Sequence, residues 1–434
     1  MGFRNAGWKQ QGMLAAGLIA AAGLTGGAIA TAPDAAASPM SDAVATESNR
    51  PMMRLVQFYG QDSAGRQMQP HGAQQAPDGP RMPAGRKRSV NSNGQAARNG
   101  SPIVLGAFAK TKTATNEEDF TEILDLCRKG LDAGLDGSMT VYARRLMGWA
   151  HNRRGELRSD ADEQETALED FEAAVSLDDS KWRYVHNRGV THATLGHYPK
   201  AIDDFNQTLK MNPNYGNAYF NRGELRYEEH DFVGAVSDYT QAIKLDPRDA
   251  TAYNSRGHAH YRLHEFREAL ADYHQAVRLD PTNAAAFTNR GDMYADFGRW
   301  ANATSDYRTA MKLNPSLGRA YQSAAWLLAT CPEDAFRSAN GAMLSAKKAI
   351  ELDGETDYRY LETLAAAEAN AGYFADAIDT QAAALAIAPP DSRPTAENRL
   401  HLYQRKTAYR EAPRSLDQAT ANRPNRRPTQ AIGR

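Results

Sequence analysis

The side chains best placed for metal chemistry in this 434-residue chain are His258, His260 and His264, the latter two spaced to share one face of a helix. A helical zinc site of the H-E-x-x-H kind needs a glutamate beside its first histidine, and Tyr261 stands there instead. The chain has no glycine-rich phosphate loop, no nucleophile elbow and no Cys or His spacing suited to structural zinc. Carboxylates are too abundant for any two to be singled out as an acid and base pair. No metal, no cofactor and no catalytic residue is therefore expected, and no enzyme.

A second constellation is electrostatic. Arg188, Arg222, Arg256 and Arg290 each precede a glycine, and Asp204, Asp238, Asp272 and Asp306 each precede an aromatic residue further along. Where the arginine places hold Ala324 and Leu364, the aspartate places hold Ser345 and Thr380, so the two types vanish together. One unit disagrees, with Met147 at the arginine place and Asp170 retained. An Arg-to-Asp bridge between the two helices of a unit is expected, in a structural role. Such a pair fixes register more than it stabilises, and losing one partner costs more than losing both.

The elements that position these residues recur. Gly189, Gly223, Gly257 and Gly291 stand 34 residues apart; Ala201, Ala235, Ala269 and Ala303 follow, then Phe205, Tyr239, Tyr273 and Tyr307, then Pro213, Pro247, Pro281 and Pro315. Gly and Ala let two antiparallel helices approach closely, the aromatic fills the space one turn along, and the proline stops the second helix. A period of this length marks a helical solenoid.

The pattern resembles the tetratricopeptide repeat, a 34-residue helix-turn-helix unit. The resemblance implies an all-α, right-handed solenoid of about seven units, here of an exported bacterial type, that works as a protein interaction scaffold. Residues 116–411 are expected to hold it. Thr115 or Asn116 caps a leading helix; the first repeat, with Gly148, Ala167, Phe171 and Ala174, has seven extra residues between its glycine and alanine, read as a loop insertion. Repeats two to five run from about 182 to 317, a sixth is interrupted near Cys331, a seventh covers 360–389, and Leu400, Tyr403 and Thr407 suggest a closing helix. Cys127 and Cys331, about five repeats apart, are too distant for a disulfide and are expected to be small buried residues.

The resemblance also implies that the first helix of each unit lines the concave face. Carried over, the lining positions are His186, Asn217, Phe220, Glu224, Tyr227, Asn254, His258, Tyr261 and Asp292, with Val190, Thr251 and Thr288. Phe220, Tyr227 and Tyr261 are read either as ligand anchors on an open surface or as packing along neighbouring first helices. The Lys and Arg that capture acidic carboxyl-terminal peptides in part of this family are missing. A neutral or basic peptide or partner protein is the expected ligand. The alternative is a structural spacer or assembly subunit that uses the solenoid ends or convex face.

Charge is segregated. Residues 38–115 carry ten Lys or Arg against four Asp or Glu and residues 412–434 carry five against one, so the overall −1 conceals an acidic middle. That disfavours nucleic acid on the folded part. The basic tail, with Arg414, Arg423, Arg426 and Arg427, is a candidate to occupy the acidic groove in the absence of a partner. Arg86, Lys87 and Arg88 are read as a solubilising charge run. At the amino end Arg4 and Lys9 precede an uncharged run from Met13 to Ala30, and Ala28-Ile29-Ala30 or Ala35-Ala36-Ala37 offers a small-residue cleavage pattern. Residues 1–37 are thus expected to be a signal peptide directing the protein to the periplasm or outside the cell, with an uncleaved amino-terminal membrane anchor left open by the 18-residue run. Residues 38–115 are expected to be a disordered basic linker, and 412–434 a disordered basic tail.

Overall fold

A computed structural model describes residues 100–414, and among them every regular element is helical. They divide into two compact units, one ending at Pro247 and the other beginning at Arg248. The first unit holds α1 (Gly100–Lys110), α2 (Glu117–Asp132), α3 (Gly137–Asp160), α4 (Gln164–Leu177), α5 (Trp182–Thr194), α6 (Tyr198–Met211), α7 (Gly216–Glu228) and α8 (Phe232–Leu245). The second holds α9 (Ala250–Arg262), α10 (Phe266–Leu279), α11 (Ala284–Asp296), α12 (Trp300–Leu313), α13 (Gly318–Thr330), α14 (Ala339–Asp353), α15 (Tyr358–Asn370), α16 (Phe374–Ile387) and α17 (Arg393–Gln404). Within each unit consecutive helices pack as pairs and each pair packs on the next, as in a tetratricopeptide solenoid.

The repeated residues explain the pairing. At Gly223 an added Cβ would stand 2.8 Å from Tyr239 Cε1, so only a bare backbone lets α7 and α8 cross at this distance. In repeats one to five the turn between paired helices carries one left-handed residue, at the same repeat place each time. Gly196 and Gly298 supply it freely, whereas Asp162, His230 and His264 adopt it with φ of 65°, 63° and 56°. His264 is therefore a turn residue beyond the end of α9, not the second ligand of a helical pair. Four of the repeats' first helices, α3, α9, α11 and α15, start at a side-chain cap, such as Asp249, which accepts the Ala252 N–H at 3.0 Å. The prolines stand two residues past the second helices, Pro213 after Met211 and Pro247 after Leu245. Asn116 caps α2 in a reciprocal arrangement with Asp119.

Three expectations are corrected. The first repeat has no loop insertion: its crossing glycine is Gly155, not Gly148. An added Cβ at Gly155 would meet the Phe171 ring at 3.0 Å, as at the later repeats, and Arg154, Gly155, Ala167 and Phe171 lie 34 residues before Arg188, Gly189, Ala201 and Phe205. The extra length lies at the amino end of α3, which has 24 residues where α5 has 13. Second, the segment expected to be linker contains α1, whose Val104 and Ala107 are fully buried in a cluster with Phe120, Ile123, Leu124 and Cys127. Third, the tail does not leave the fold at residue 412; it stays in contact with the second unit through Arg414. Cys127 and Cys331 are free, buried thiols, pushed up by burial to about 12 and about 11. No helix among the described residues is long and apolar enough to cross a membrane. The expected signal segment, most of the linker, and Arg423, Arg426 and Arg427 lie outside the described residues.

Candidate partner-binding faces

The arginines and aspartates form a ladder of rungs across the helix pairs. Arg188 Nε and Nη2 donate to Asp204 at 2.9 and 2.6 Å, Arg222 to Asp238 at 2.8 and 2.6 Å, Arg256 to Asp272 at 2.8 and 2.7 Å, and Arg290 to Asp306 at 2.8 Å twice. A fifth rung completes the series, Arg154 to Asp170 at 2.9 and 2.7 Å, which removes the anomaly posed by Met147. The hydrogen bonds to aspartate raise the Arg188, Arg256 and Arg290 guanidinium groups above their usual range. Burial pushes the Asp170 carboxyl up, but bonds from His151 and Arg154 more than offset this and hold it low.

One turn after each rung arginine the residue varies. Arg158 and Arg226 give Asp170 and Asp238 a second guanidinium at 3.0 and 2.7 Å; the same place holds His192, His260 and Tyr294 in the other repeats. His260 bonds through Nδ1 to Glu265 at 2.7 Å, so its ring is engaged within its own helix pair.

The proposed lining residues separate into two sets. His186, Phe220 and Tyr261 are buried, and the open-surface anchor reading fails for them. His186 packs between Phe205 and Tyr215, with ring centroids 5.6 and 4.9 Å away, and Phe220 lies 5.7 Å from Tyr239. Tyr227 and Tyr261 stack edge-on against Phe232 and Phe266, the first residues of the following helices, at 5.1 and 5.6 Å. Tyr227 and Tyr261 close the helix-to-helix turn of their own repeat, and Tyr261 also packs on the neighbouring first helix α11, in a cluster with Met293 and through its hydroxyl to Asp296. Asn217, Glu224, Asn254, His258 and Asp292 are half-buried and keep some access to solvent. Asn254 Oδ1 accepts from Asn289 Nδ2 at 2.9 Å, joining adjacent first helices. Burial, then the charges of Arg319 and Arg262, depress the His258 imidazole to about 3, so it is neutral at physiological pH.

A feature not anticipated from the residue types is a set of carboxylates pinned by tyrosine hydroxyls. Tyr239 OH donates to Glu224 at 2.7 Å, Tyr307 OH to Asp292 at 2.8 Å, and Tyr261 OH to Asp296 at 2.7 Å. Desolvation and the neighbouring carboxylates push all three phenols well above their ordinary range, so they remain donors. Residue types alone do not announce it: the residue after the crossing glycine is Glu224 or Asp292 where the repeat aromatic is Tyr239 or Tyr307, but Glu156 where it is Phe171 and His258 where it is Tyr273. Two of these carboxylates already face a guanidinium of the same unit. Arg319 Nη2 lies 2.7 Å from Asp292, and Arg414 Nε 3.8 Å from Asp296.

Residues 250–283 match the tetratricopeptide repeat family, and residues 226–263 match a second family description, TPR repeat. No curated protein sequence matches the chain. Among solved structures it is similar to MamA from Desulfovibrio magneticus RS-1 (20% identity, 39% of this chain and 96% of that one, TM-score 0.36). It is also similar to yeast Tom70 (16%, 75% and 67%, 0.39) and to pilF of Pseudomonas aeruginosa (15%, 49% and 96%, 0.43). Superpositions this loose add nothing to the assignment, which rests on the two repeat matches and on helix pairs locked by the same glycine, alanine and aromatic through five consecutive 34-residue repeats. The chain is a tetratricopeptide-repeat protein.

Proposed function

We propose that the chain is a non-enzymatic scaffold that binds a neutral or basic segment of a partner protein through the first helices of its repeats. The observation that carries this reading is that each unit has tyrosine-pinned carboxylates, Glu224 in the first and Asp292 and Asp296 in the second. A carboxylate already held by a buried donor loses little freedom when a ligand arrives, so the ordering cost falls on the partner alone. That two of the three face arginines of the same unit supports a preference for basic groups. Buried Phe220 and Tyr261 are removed from the binding face; Glu224, Asn254 and Asp292 remain on it. Export remains part of the proposal, supported by the amino-terminal residues Arg4, Lys9 and Met13–Ala30.

The test is an array of extended peptides differing only in charge, probed with the whole chain. Basic and neutral peptides should be retained and acidic ones excluded, and Glu224→Gln should weaken retention of the basic set by about tenfold, the cost of one charge-assisted hydrogen bond. Equal retention of acidic peptides would remove the basis for this reading and favour the spacer alternative.

A further inference from the structure

The second unit carries a segment that behaves like a bound peptide. After α17 the chain turns at Lys406, with φ 55°, and runs from Thr407 to Arg414 without regular secondary structure. Its backbone and one side chain reach the carboxyl ends of two first helices. The Glu411 N–H donates to Thr330 O at 2.8 Å, Arg410 Nη1 to Ala329 O at 3.1 Å, and the Arg414 N–H to Asp296 O at 2.7 Å. These are last-turn carbonyls of α13 and α11, of the kind that helix geometry leaves without an intrahelical donor.

Two side chains anchor the segment. Tyr409 lies against Trp326, ring centroids 6.0 Å apart, and the Arg399 guanidinium sits 4.8 Å from the Trp326 centroid and 5.1 Å from that of Tyr409. Five residues on, Arg414 lies over the Phe266 ring at 5.5 Å and beside the carboxylate of Asp296, which Tyr261 holds from the other side. Pro413 covers Gly298, where an added Cβ would come within 3.2 Å of it. Main-chain hydrogen bonds for affinity with spaced side-chain pockets for specificity are how extended peptides are generally read. None of the residues from Thr407 to Arg414 is fully buried, so the segment belongs to the parts of a fold that open at low cost.

We propose that this surface of the second unit is a binding site for an extended peptide bearing an aromatic residue and an arginine five positions later, and that Tyr409–Arg414 is its in-chain competitor. The proposal rests on the partner-binding reading and adds an occupant and a regulation to it. A partner must displace the segment first. If the closed form holds about nine-tenths of the molecules, the apparent affinity for such a peptide is lowered about tenfold.

The probe is a labelled peptide with the sequence of Thr407–Leu416, titrated against the full chain. Arg414→Glu should bind it about tenfold tighter than the wild type, because repulsion from Asp296 opens the site. Adding Asp296→Asn to that variant should remove most of the gain, and a scrambled peptide should show none. Equal affinity of wild type and Arg414→Glu overturns the proposal. A second measurement covers a variant that folds poorly: saturating peptide added to the wild type should speed amide exchange at Glu411 and Arg414, and unchanged exchange overturns it as well. The wild type should scatter light as a monomer; a dimer that the peptide dissociates would place the segment on a second copy and also overturn it. The two readings fail separately, since Glu224→Gln tests the first unit and Arg414→Glu the second.

Discussion

The rungs allow a comparison in which position in the repeat is constant and only the neighbourhood changes. Asp306 and Asp238 are nearly buried, with 7% and 2% of their side-chain surface accessible, and each takes two guanidinium hydrogen bonds from its rung arginine. Asp238 has a second cation, Arg226, at 2.7 Å, whereas the equivalent place beside Asp306 is Tyr294. Arg290→Met strands a buried carboxylate, a change that costs roughly 3–5 kcal/mol; the partly accessible arginine lets water in, so about 3 kcal/mol is expected. Arg222→Met leaves Asp238 paired through Arg226 and forfeits mainly charge-assisted hydrogen bonds, about 1.5–2 kcal/mol. Restoring neutrality with Arg290→Met/Asp306→Asn should recover about 1–3 kcal/mol of the first loss. Native-state hydrogen exchange of α11–α12 and of α7–α8 reads each effect in its own helix pair, so it does not require the whole array to unfold in one step. Arg222→Met proving as costly as Arg290→Met would show that the second guanidinium does not compensate, and the electrostatic account of the rungs would have to be abandoned.

Two further outcomes follow from the same contacts. Gly155→Ala should destabilise the first unit by about 1–3 kcal/mol through overpacking against Phe171, whereas Gly148→Ala, whose new Cβ meets nothing closer than 3.4 Å, should be neutral or stabilising; thermal melts of the two variants distinguish them. His258, depressed to about 3, binds its proton less readily in the folded state than in the unfolded chain, so its contribution is complete above about pH 6.5 and is lost as pH falls, at up to about 1.4 kcal/mol per pH unit. Asp296, raised to about 6 chiefly by burial, acts in the opposite sense, its contribution being present below about pH 4 and lost as pH rises through 6. The His258 effect is therefore read as the difference between wild type and His258→Gln in denaturant titrations at pH 7 and pH 5; parallel pH dependence in the two proteins would refute it.

What the sequence determined by itself is the unit and its period. The small residue at a helix crossing, the aromatic beside it and the ion pair across it are local requirements, met within one 34-residue stretch and repeated through the first five repeats. Even the first repeat obeyed them through Arg154 and Gly155; Gly148 misled because a longer first helix offered more than one glycine and the residue types alone do not say which one meets Phe171. Tertiary structure decided which way each helix face points. Phe220, Tyr227 and Tyr261 occupy lining positions by register, but every first helix is flanked by its own partner and by neighbouring pairs, and burial of an aromatic ring is favourable enough to turn Phe220 and Tyr261 inward, while Tyr227 stays half-buried. The same limit hid α1 and the path of residues 407–414. Both are short segments whose order comes from packing outside the 34-residue period, Gly100–Lys110 on α2 and α3, and Tyr409–Arg414 on the ends of α11 and α13. A chain read residue by residue reports the contacts that recur with its period, and only the folded units show the contacts made once.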